Sequence, residues 1–371
     1  MKKKILIFDR INSSKFPGGD TVQINAIKDF LINHNFNVTV SDNPLENLSG
    51  YDYIFIFNLT NPLEAYACMK ACQKYSKPYI LFPVYWNLDS LKMPVQFNMR
   101  MIAKKIMPDF LKSYIRAIKF LKNNNGIIDF FMIKETELFN IKQCISDIIK
   151  NAYYVCPNSY AEWNHLNDNF KLDQLNKNVK VIYNGIDLNK LENIEKDDFI
   201  KEKYNLPENY ICCVGGIGPR KNQLNLVKAA NLENINIVLI GKTSYGYEDY
   251  FKTLKSISGS NIYFLEHLPQ EEVFKILKGS QGHIQPSFIE TPGLASLEAL
   301  TLGLPIAVSD TEPTKEYFSC YAEYCNPFFA ESIHESLKLL LQRPLENNIE
   351  WVSQYCWENV LIELLPILKN S

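Results

Sequence analysis

The sequence predicts an α/β protein built from two open parallel sheets. Short apolar runs rich in Ile, Val, Tyr and Phe alternate with helix-length amphipathic segments, the pattern of parallel strands joined by crossover helices. One twisted sheet holding all of these runs would be unusually large. A charged, polar stretch at Asn189–Glu208 interrupts the apolar periodicity near the middle of the chain. We therefore expect two sheets of about six strands each, one on either side of this stretch.

The predicted strands fall into two sets. Those of the first half are Lys4–Asp9, Asn37–Val40, Tyr53–Phe57, Tyr79–Pro83, Tyr153–Pro157 and Val179–Tyr183. Those of the second half are Tyr210–Gly215, Ile235–Gly241, Ile262–Leu265, Gly282–Pro286, Pro305–Ser309 and Glu323–Cys325. The corresponding Rossmann-like domains are expected at 1–190 and 205–350, followed by a terminal helix at 351–371.

The composition excludes several classes of protein. The chain has 371 residues, 46% of them hydrophobic, which is enough for two ordinary cores and excludes a disordered or fibrous protein. Lys and Arg number 39 against 41 Asp and Glu, so no overall positive charge attracts a nucleic acid. Nine cysteines without a C-x-x-C pair indicate reduced thiols, and no apolar run is long enough for a signal core or a membrane span. A cytoplasmic protein is expected.

The segment Leu91–Lys122 departs from the rest of the chain in charge. It holds eight basic residues and one acidic residue, Asp109, for a local charge of +7, and the basic residues interleave with apolar ones. This pattern predicts two amphipathic helices that meet near Pro108. Two interpretations stay open: the helices cover the sheet and expose their lysines, or they lie on an anionic membrane surface, with the protein peripheral on the inner membrane face.

A candidate diphosphate site follows the strand Tyr210–Gly215. The next residues form a glycine-containing turn and then place Arg220 and Lys221 at the start of a predicted helix. Backbone N–H groups at a helix N-terminus and two cations suit a diphosphate; the alternative is an exposed pair of basic residues. The Gly216-Ile-Gly218 sequence lacks the third glycine of a dinucleotide fingerprint, and Gly241-Lys242-Thr243 lacks a P-loop, so a dehydrogenase or P-loop enzyme is not expected.

Two glutamates stand at or near the start of a further predicted helix. Glu290 lies in the loop after the strand Gly282–Pro286, and Glu298 lies within an apolar helix that Pro292 and Gly293 open. A carboxylate among apolar residues needs a partner. The two hydroxyls of a ribose would supply one for Glu298, and a neighbouring lysine is the alternative.

The spacing Glu290-x7-Glu298, within P-S-x-x-E-x-x-G-L-x-x-L-E-A-L-x-x-G-x-P, resembles the E-x7-E motif of retaining glycosyltransferases of family 4, which have the GT-B fold. Further matches occur in the same order along nearly the whole chain: Pro17-Gly18-Gly19, Asn184-Gly185-Ile186-Asp187, Pro219-Arg220-Lys221-Asn222, Leu268-Pro-Gln-Glu-Glu272 and Cys356-Trp357-Glu358. The resemblance implies two Rossmann-like domains facing a central cleft. It also implies that the terminal helix crosses back to the N-terminal domain.

The resemblance assigns roles to the residues singled out above. Arg220 and Lys221 would hold the donor diphosphate and stabilise its charge as it leaves, and Glu298 would bind the ribose. Glu290 would contact the donor sugar or lie near the anomeric centre, so that Glu290, Arg220 and Lys221 form the catalytic set. The remaining donor-binding positions would be Gly18, Gly19, Gly216, Gly293 and Leu294.

Three departures from the family pattern bear on these roles. Gly216 stands where a family arginine is common, so Arg220 would take over its charge. Thr291-Pro292-Gly293 replaces the usual G-F-G, which would alter the donor-sugar pocket. The acceptor-side histidine after the fourth strand is absent, and Trp86, Asn87 and Asp89 are the candidates for that contact. Among the five histidines, His283 alone is expected to approach the cleft.

We therefore expect a retaining enzyme that moves a sugar from a nucleoside-diphosphate sugar to a saccharide acceptor, lipid-linked, as in bacterial surface glycan assembly. The chain lacks an Asp-x-Asp pair, so neither a metal ion nor another cofactor is expected. The alternatives are a nucleotide-sugar epimerase of the same fold and a non-catalytic module that binds sugar nucleotides. The base, the donor sugar, the acceptor, the linkage and the oligomeric state are left open by the sequence.

Overall fold

A computed structural model of the chain describes residues 2–11, 19–86, 107–124, 126–127, 131, 133–172, 178–197 and 199–369. These residues form two compact units. Among the described residues, unit 1 takes those within 2–86, 107–184 and 357–369, and unit 2 takes those within 185–356. Helices and strands are numbered below over the described residues in chain order.

Unit 1 is a parallel sheet with helices on both faces. Its strands are β1 (Lys4–Phe8), β2 (Asn37–Ser41), β3 (Tyr53–Phe57), β4 (Tyr79–Phe82) and β5 (Tyr154–Val155), in the order β2-β1-β3-β4-β5. Its helices are α1 (Gly19–Asn33), α2 (Pro62–Lys74), α3 (Asp109–Asn123), α4 (Glu135–Leu138), α5 (Ile141–Asn151), α6 (Tyr160–Phe170), and, from the C-terminus, α16 (Trp357–Leu361) and α17 (Leu364–Lys369).

Unit 2 repeats this architecture with a six-stranded parallel sheet. Its strands are β6 (Ile211–Val214), β7 (Ile237–Ile240), β8 (Ile262–Leu265), β9 (His283–Gln285), β10 (Ile306–Ser309) and β11 (Ala322–Cys325), in the order β11-β10-β9-β6-β7-β8. Its helices are α7 (Leu188–Glu192), α8 (Ile200–Lys203), α9 (Gln223–Leu232), α10 (Glu248–Ile257), α11 (Gln270–Lys278), α12 (Leu294–Thr301), α13 (Thr314–Phe318), α14 (Ala330–Gln342) and α15 (Ile349–Val352).

Strand β1 shows how the apolar runs make a sheet that is covered on both faces. Successive side chains of a strand point to opposite faces. Ile5 and Ile7 accordingly pack with α1 and the C-terminal helices, whereas Leu6 and Phe8 pack with α2 and α5. Because both faces are buried, every residue of the strand after Lys4 must be apolar. The predicted fold class, two Rossmann-like parallel sheets, is confirmed.

One predicted strand, Val179–Tyr183, does not form. The chain there makes a single bridge between Val179 and Val155, and its backbone bonds to β5 and to Pro157 are few. Its neighbour β5 is only two residues long, which leaves little strand to pair with. The first sheet therefore has five strands rather than six.

The division of the chain differs from the predicted boundaries at 190 and 205. Unit 2 begins at Gly185, and the polar stretch after it belongs to that unit. Its short helix α8 is tied to α11, because Lys203 Nζ lies 3.0 Å from Glu272 Oε2 and the Tyr204 hydroxyl also donates to that carboxylate. Charged residues thus anchor a segment that lacks apolar periodicity.

Candidate active site

The site begins with the loop after β6, where two chain segments approach closely. Gly215 and Gly241 both have positive φ, +146° and +148°. A Cβ on Gly241 would lie 2.2 Å from the carbonyl oxygen of Gly215, so no other residue fits at position 241 without displacing the backbone. In the sequence, Gly241 is informative only because the residues around it do not form a P-loop. Its function here is to let the loops after β6 and β7 lie together.

Arg220 and Lys221 lie in a short 3-10 turn, Pro219–Lys221, directly before α9. Asn222 follows in the left-handed conformation (φ 60°) and fixes this turn, because its Nδ2 donates to the carbonyls of Pro286 (2.9 Å) and Pro327 (2.7 Å). The carbonyl of Arg220 accepts the N–H of Phe288 at 2.9 Å. The turn is therefore held against the chain that follows β9.

Glu290 meets both cations. Lys221 Nζ lies 2.5 Å from Glu290 Oε2, and Arg220 lies 3.6 Å from Oε1 and also donates to the carbonyl of Ile289 at 3.0 Å. Ser287 Oγ donates to Oε2 at 2.9 Å, and the N–H of Thr291 donates to Oε1 at 3.2 Å. The Lys221 and Glu290 side chains are 15% and 6% exposed, against 42% for Arg220. The structure thus brings together the predicted set of Glu290, Arg220 and Lys221.

The charges of this group fix the protonation of Glu290. Burial by itself raises the pKa of Glu290, but the nearby Lys221 and Arg220 charges and the hydrogen bonds from Lys221 and Ser287 outweigh it and lower that pKa to about 2. Burial lowers the pKa of Lys221, while the Glu290 carboxylate opposes that shift. Glu290 is therefore a carboxylate of low basicity with a cation at hydrogen-bond distance.

Three polar residues, Gln285, Ser287 and Asn222, support the site and were not identified as site residues from the sequence. Gln285 Nε2 donates to Ser287 Oγ at 3.0 Å, and Ser287 donates to Glu290. Asn222, described above, holds the preceding turn. The available signal was the alternation of Gln285 and Ser287 with apolar neighbours, in a buried segment made of β9 and the residues directly after it. A buried sheet has no use for polar side chains unless they serve one another or a ligand.

His283 does not approach a ligand surface, contrary to the sequence expectation. It is fully buried in β9, where its Nε2 accepts the N–H of Val214 (3.4 Å) and its Nδ1 lies 3.2 Å from Ser296 Oγ. Burial, with a smaller effect of the Lys221 charge, lowers its pKa to about 3. A neutral His283 therefore links β6, β9 and α12 beneath the site.

Glu298 lies on α12, whose N-cap Gly293 has a φ of +72° and whose first residue is Leu294. Burial raises the pKa of Glu298 to about 7, and a hydrogen bond from Gln270 only partly opposes this. Within the described ranges no lysine pairs with Glu298, so the lysine alternative finds no partner there. The N–H groups of Ser296 and Leu297 donate to the Gly293 carbonyl, at 2.8 and 3.2 Å, whereas those of Leu294 and Ala295 precede the first intrahelical bond.

The predicted residues of unit 1 are less fully described. Gly18, Asn87 and Asp89 lie outside the described residues. Gly19 is the first residue of α1, and a Cβ there would meet nothing within 4 Å, so no contact with a described residue requires glycine at this position. The Trp86 ring stacks on His165 of α6 with 5.0 Å between centroids, and its Nε1 is buried without a hydrogen-bond partner in the part of the chain that the structure describes.

The basic segment Leu91–Lys122 is described from residue 107 onward, where it forms α3. Ala117 and Phe120 of α3 are buried. Five large apolar side chains of the same helix are exposed: Phe110, Leu111, Tyr114, Ile115 and Ile118. We call these five the α3 apolar stripe. No helix in the described ranges combines the length and hydropathy that a bilayer span requires.

Over the described part of the chain, no group of three or more His, Cys, Asp and Glu side chains is arranged to hold a metal ion. The acidic residues of the site engage cations and backbone or hydroxyl donors instead, as the contacts of Glu290 show.

Comparisons with known proteins agree with this architecture. Residues 195–353 match the family model described as Glycosyl transferases group 1. The chain is 26% identical over 304 residues to the uncharacterized glycosyltransferase MJ1069 of Methanocaldococcus jannaschii, covering 76% of this chain and 75% of that protein. It is 24% identical over 217 residues to the O-antigen chain mannosyltransferase RfbU of Salmonella typhimurium, covering 57% and 58% of the two chains.

Among solved structures, the chain is similar to Anabaena HepE in complex with UDP and glucose, with a TM-score of 0.67, 16% identity and full coverage of both chains. At this identity the similarity shows the fold. The family assigned from the E-x7-E motif is thus supported at the level of group 1, while the family 4 assignment stays a prediction. The chain has the GT-B fold, and the match of its residues 195–353 to group 1 supports glycosyltransferase activity.

Proposed function

We propose that the chain is a retaining glycosyltransferase that transfers a sugar from a nucleoside-diphosphate sugar to a saccharide acceptor. The observation that carries this proposal is the group formed by Arg220, Lys221 and Glu290 beside the loop after β6. Two cations and one carboxylate leave the group with a net charge of +1, which favours an anion. The carboxyl ends of the strands in an open parallel sheet are also where ligands of such folds bind.

In the proposed mechanism Arg220 and Lys221 hold the donor diphosphate and stabilise the negative charge that develops on it as the glycosidic bond breaks. Because the cations are fixed by Glu290, Ile289 and the Asn222 turn before the reaction starts, little reorganisation is needed when this charge develops. Such preorganised charge is among the largest contributions that an enzyme makes to a group transfer.

Glu290 is proposed to position Lys221 and the donor sugar rather than to act as a nucleophile. Its pKa of about 2 indicates low basicity, and its two oxygens already accept from Lys221, Ser287 and Thr291. Retention then follows from a front-face displacement in which the leaving phosphate helps to deprotonate the acceptor hydroxyl. That route uses positioning and charge stabilisation and needs no enzyme nucleophile.

Glu298 is proposed to bind the ribose, since a carboxylate can accept hydrogen bonds from both hydroxyls of a diol. Burial makes its carboxylate costly in the free protein, as its raised pKa indicates, and the two ribose hydroxyls would offset that cost. The N–H groups of Gly293 and Leu294 face phosphate or sugar hydroxyls in this proposal. Gly216, and Gly18 and Gly19 of unit 1, stay predicted donor contacts.

The acceptor is proposed to be a lipid-linked saccharide, used at an anionic membrane surface to which the segment 91–122 binds from the cytoplasmic side. The α3 apolar stripe supports this, because five exposed apolar side chains beside basic ones are typical of a helix that lies in a membrane interface. RfbU, a relative of this chain, is named for O-antigen chain synthesis. Trp86, Asn87 and Asp89 stay the proposed acceptor-side residues.

The test is product analysis. Thermal shifts with UDP, GDP and dTDP identify the base, and the matching sugar nucleotides are then incubated with and without acceptor saccharides. Nuclear magnetic resonance of the product should show a new glycosidic bond with the donor's anomeric configuration. Conversion of the donor into an epimer without acceptor would instead indicate an epimerase. Binding with neither transfer nor hydrolysis would indicate a non-catalytic module.

A further inference from the structure

A cavity in unit 1 is lined by charged, polar and apolar residues. Its volume is about 390 Å³, which falls in the range of roughly 300–1,000 Å³ typical of small-molecule sites. Arg116, Lys119, Asn123 and Asn124 of the α3 segment line it on one side, and Thr60 to Glu64 line it on the other. None of these residues has a role in the proposed donor chemistry.

The cavity lies where the topology of the first sheet favours a ligand site. In the order β2-β1-β3-β4-β5, the connections from β1 and from β3 lead to opposite sides, so the strand order reverses between these two strands. In open α/β sheets, ligands bind at the carboxyl ends of the strands at such a reversal. The lining residues Thr60 to Glu64 follow β3, and Glu64 Oε2 accepts the N–H of Ile11, which follows β1, at 3.1 Å.

The lining has the chemistry of an anion site with room for hydroxyl groups. Arg116 and Lys119 supply two positive charges, whereas Glu64 supplies one carboxylate, and that carboxylate is engaged with the Ile11 N–H. Burial raises the pKa of Glu64, and the hydrogen bond from Ile11 partly opposes this shift. Asn123 and Asn124 add amides, and Asn124 Nδ2 donates to the carbonyl of Phe120 at 3.0 Å.

The same helix joins this cavity to the α3 apolar stripe. Arg116 directly follows Ile115 on α3, and Lys119 directly follows Ile118, so both cations lie beside the end of the stripe. A helix whose stripe enters a membrane interface would hold these cations close to the headgroups, where lipid phosphates lie. Arginine and lysine are the usual ligands of phosphate.

We propose that this cavity binds a phosphate group carried by the acceptor, separately from the donor diphosphate. The inference rests on the proposed function and narrows its acceptor to a phosphorylated saccharide. The phosphate comes either from the link between the acceptor saccharide and its lipid or from a soluble sugar phosphate.

The first experiment is calorimetric titration with glucose 1-phosphate and with glucose. The phosphate ester should bind the wild type at least tenfold more tightly than glucose does. The double variant Arg116→Gln/Lys119→Gln should lose at least tenfold in affinity for the ester, whereas Lys150→Gln, an exposed lysine of α5 outside the cavity, should not. Because the substituted side chains are exposed, melting temperatures should match the wild type.

The variant Lys221→Gln distinguishes phosphate binding in the cavity from phosphate binding at the proposed donor site. Glucose 1-phosphate should still bind this variant with the tighter affinity that the cavity variants lack. If Lys221→Gln abolishes all binding of the ester, or if the double cavity variant binds it as the wild type does, the cavity is not a phosphate site and the inference is overturned.

Vesicles distinguish the two sources of phosphate. Phosphatidylcholine vesicles with and without undecaprenyl phosphate are sedimented with the wild type, the double variant and Lys150→Gln. If undecaprenyl phosphate increases sedimentation of the wild type and of Lys150→Gln but not of the double variant, the cavity binds a lipid-linked phosphate. Binding of glucose 1-phosphate without any effect of undecaprenyl phosphate assigns it to a soluble phosphorylated saccharide.

Turnover separates failure of this inference from failure of the proposed function. If no sugar nucleotide is turned over, the proposed function fails, while the calorimetric result for the cavity stands. If transfer occurs, the double variant should raise the acceptor KM at least tenfold and leave the donor KM unchanged. Transfer with an unaltered acceptor KM would overturn the inference alone.

Discussion

Each sheet has a buried glutamate near the carboxyl ends of its strands, and the two glutamates differ in their partners and in their pKa. At the edge of the second sheet, the carboxylate of Glu290 is paired with Lys221 and bonded by Ser287 and Thr291. At the edge of the first sheet, the fully buried Glu162 accepts the backbone N–H groups of Tyr85 (2.5 Å) and Asn158 (2.6 Å). The pKa of Glu290 is about 2 and that of Glu162 about 7.

This difference separates two uses of a buried carboxylate. Glu290 stays ionised and keeps a cation in place for a charged ligand. Burial raises the pKa of Glu162, which the two N–H bonds only partly oppose, so its charge is held at a cost. Its bond to Tyr85 secures the turn after β4, in which Val84 has the unusual φ of 46° for a β-branched residue. Glu290 thus supports chemistry, whereas Glu162 supports a backbone shape.

The largest expected effect comes from removing Lys221 from its ion pair with Glu290. Lys221→Ala removes the proposed leaving-group contact and should lower turnover by ~10²-fold or more, since such a contact stabilises the transition state by about 2–4 kcal/mol. Steady-state rates and melting curves measured together separate lost chemistry from the cost of leaving Glu290 without its nearest cation. Lys228→Ala, an exposed lysine on α9, is the control. Wild-type turnover in a folded Lys221→Ala protein would remove Lys221 from the mechanism.

The contribution of Glu162 to stability should change with pH in the direction opposite to that of a carboxylate paired with a cation. With a folded pKa of about 7 against an ordinary value of 4.5, Glu162 binds more protons in the folded state between these pH values, so its contribution to stability falls as pH rises through this window. Glu162→Gln should therefore gain stability relative to the wild type by about 1–3 kcal/mol between pH 5 and pH 8. Denaturant unfolding measures this.

The exposed Asp168→Asn on the same helix provides the matched control and should show no such trend. A stability difference between wild type and Glu162→Gln that stays constant over this pH range would mean that Glu162 is not held at a raised pKa.

Variants of Glu298 test whether a buried carboxyl with a raised pKa in unit 2 binds a ligand. The proposed ribose contact needs the carboxylate, so donor affinity should fall about tenfold for each pH unit below the pKa of about 7. Glu298→Gln should bind the donor about tenfold more weakly at pH 8, lose this pH dependence and retain most of its turnover at saturating donor. Calorimetry against the identified nucleotide, with the exposed Glu335→Gln as control, measures both. An unchanged donor affinity in Glu298→Gln would exclude the ribose role.

The α3 apolar stripe should distinguish unit 1 from unit 2 in membrane binding. Phe110→Ser/Ile115→Ser should reduce sedimentation with anionic vesicles several-fold, because exposed apolar side chains that enter the interface contribute through the area they bury. Leu345→Ser, an exposed apolar residue of unit 2, should have no effect. Added salt should weaken wild-type binding. If the wild type does not bind anionic vesicles at low salt, α3 only packs against the sheet and has no role at a membrane.

The smallest expected effect is that of a chelator. The positive charge of the proposed site comes from Arg220 and Lys221, which can do for the diphosphate what a divalent ion does elsewhere. EDTA should therefore leave turnover largely unchanged. Loss of turnover with EDTA and its return with manganese would show that the two side chains do not suffice.

The sequence by itself determined the elements and their order. Apolar runs and amphipathic segments predicted the eleven strands that the described residues form, because strands covered on both faces are mostly apolar. The sequence also indicated that Arg220, Lys221 and Glu290 would lie near one another, since residues that follow parallel strands gather at one edge of the sheet. These inferences rest on local patterns that a linear sequence carries.

Only the tertiary structure decided what those residues contact. The pairing of Lys221 with Glu290, across 69 positions of sequence, depends on β9 lying beside β6 in the sheet. Nothing local foretold that Gly241 must approach Gly215, that His283 is buried as a neutral link, or that Val179 finds too little of β5 to form a strand. Contacts between distant segments are set by how the layers pack, and packing is a property of the whole domain rather than of any window of its sequence.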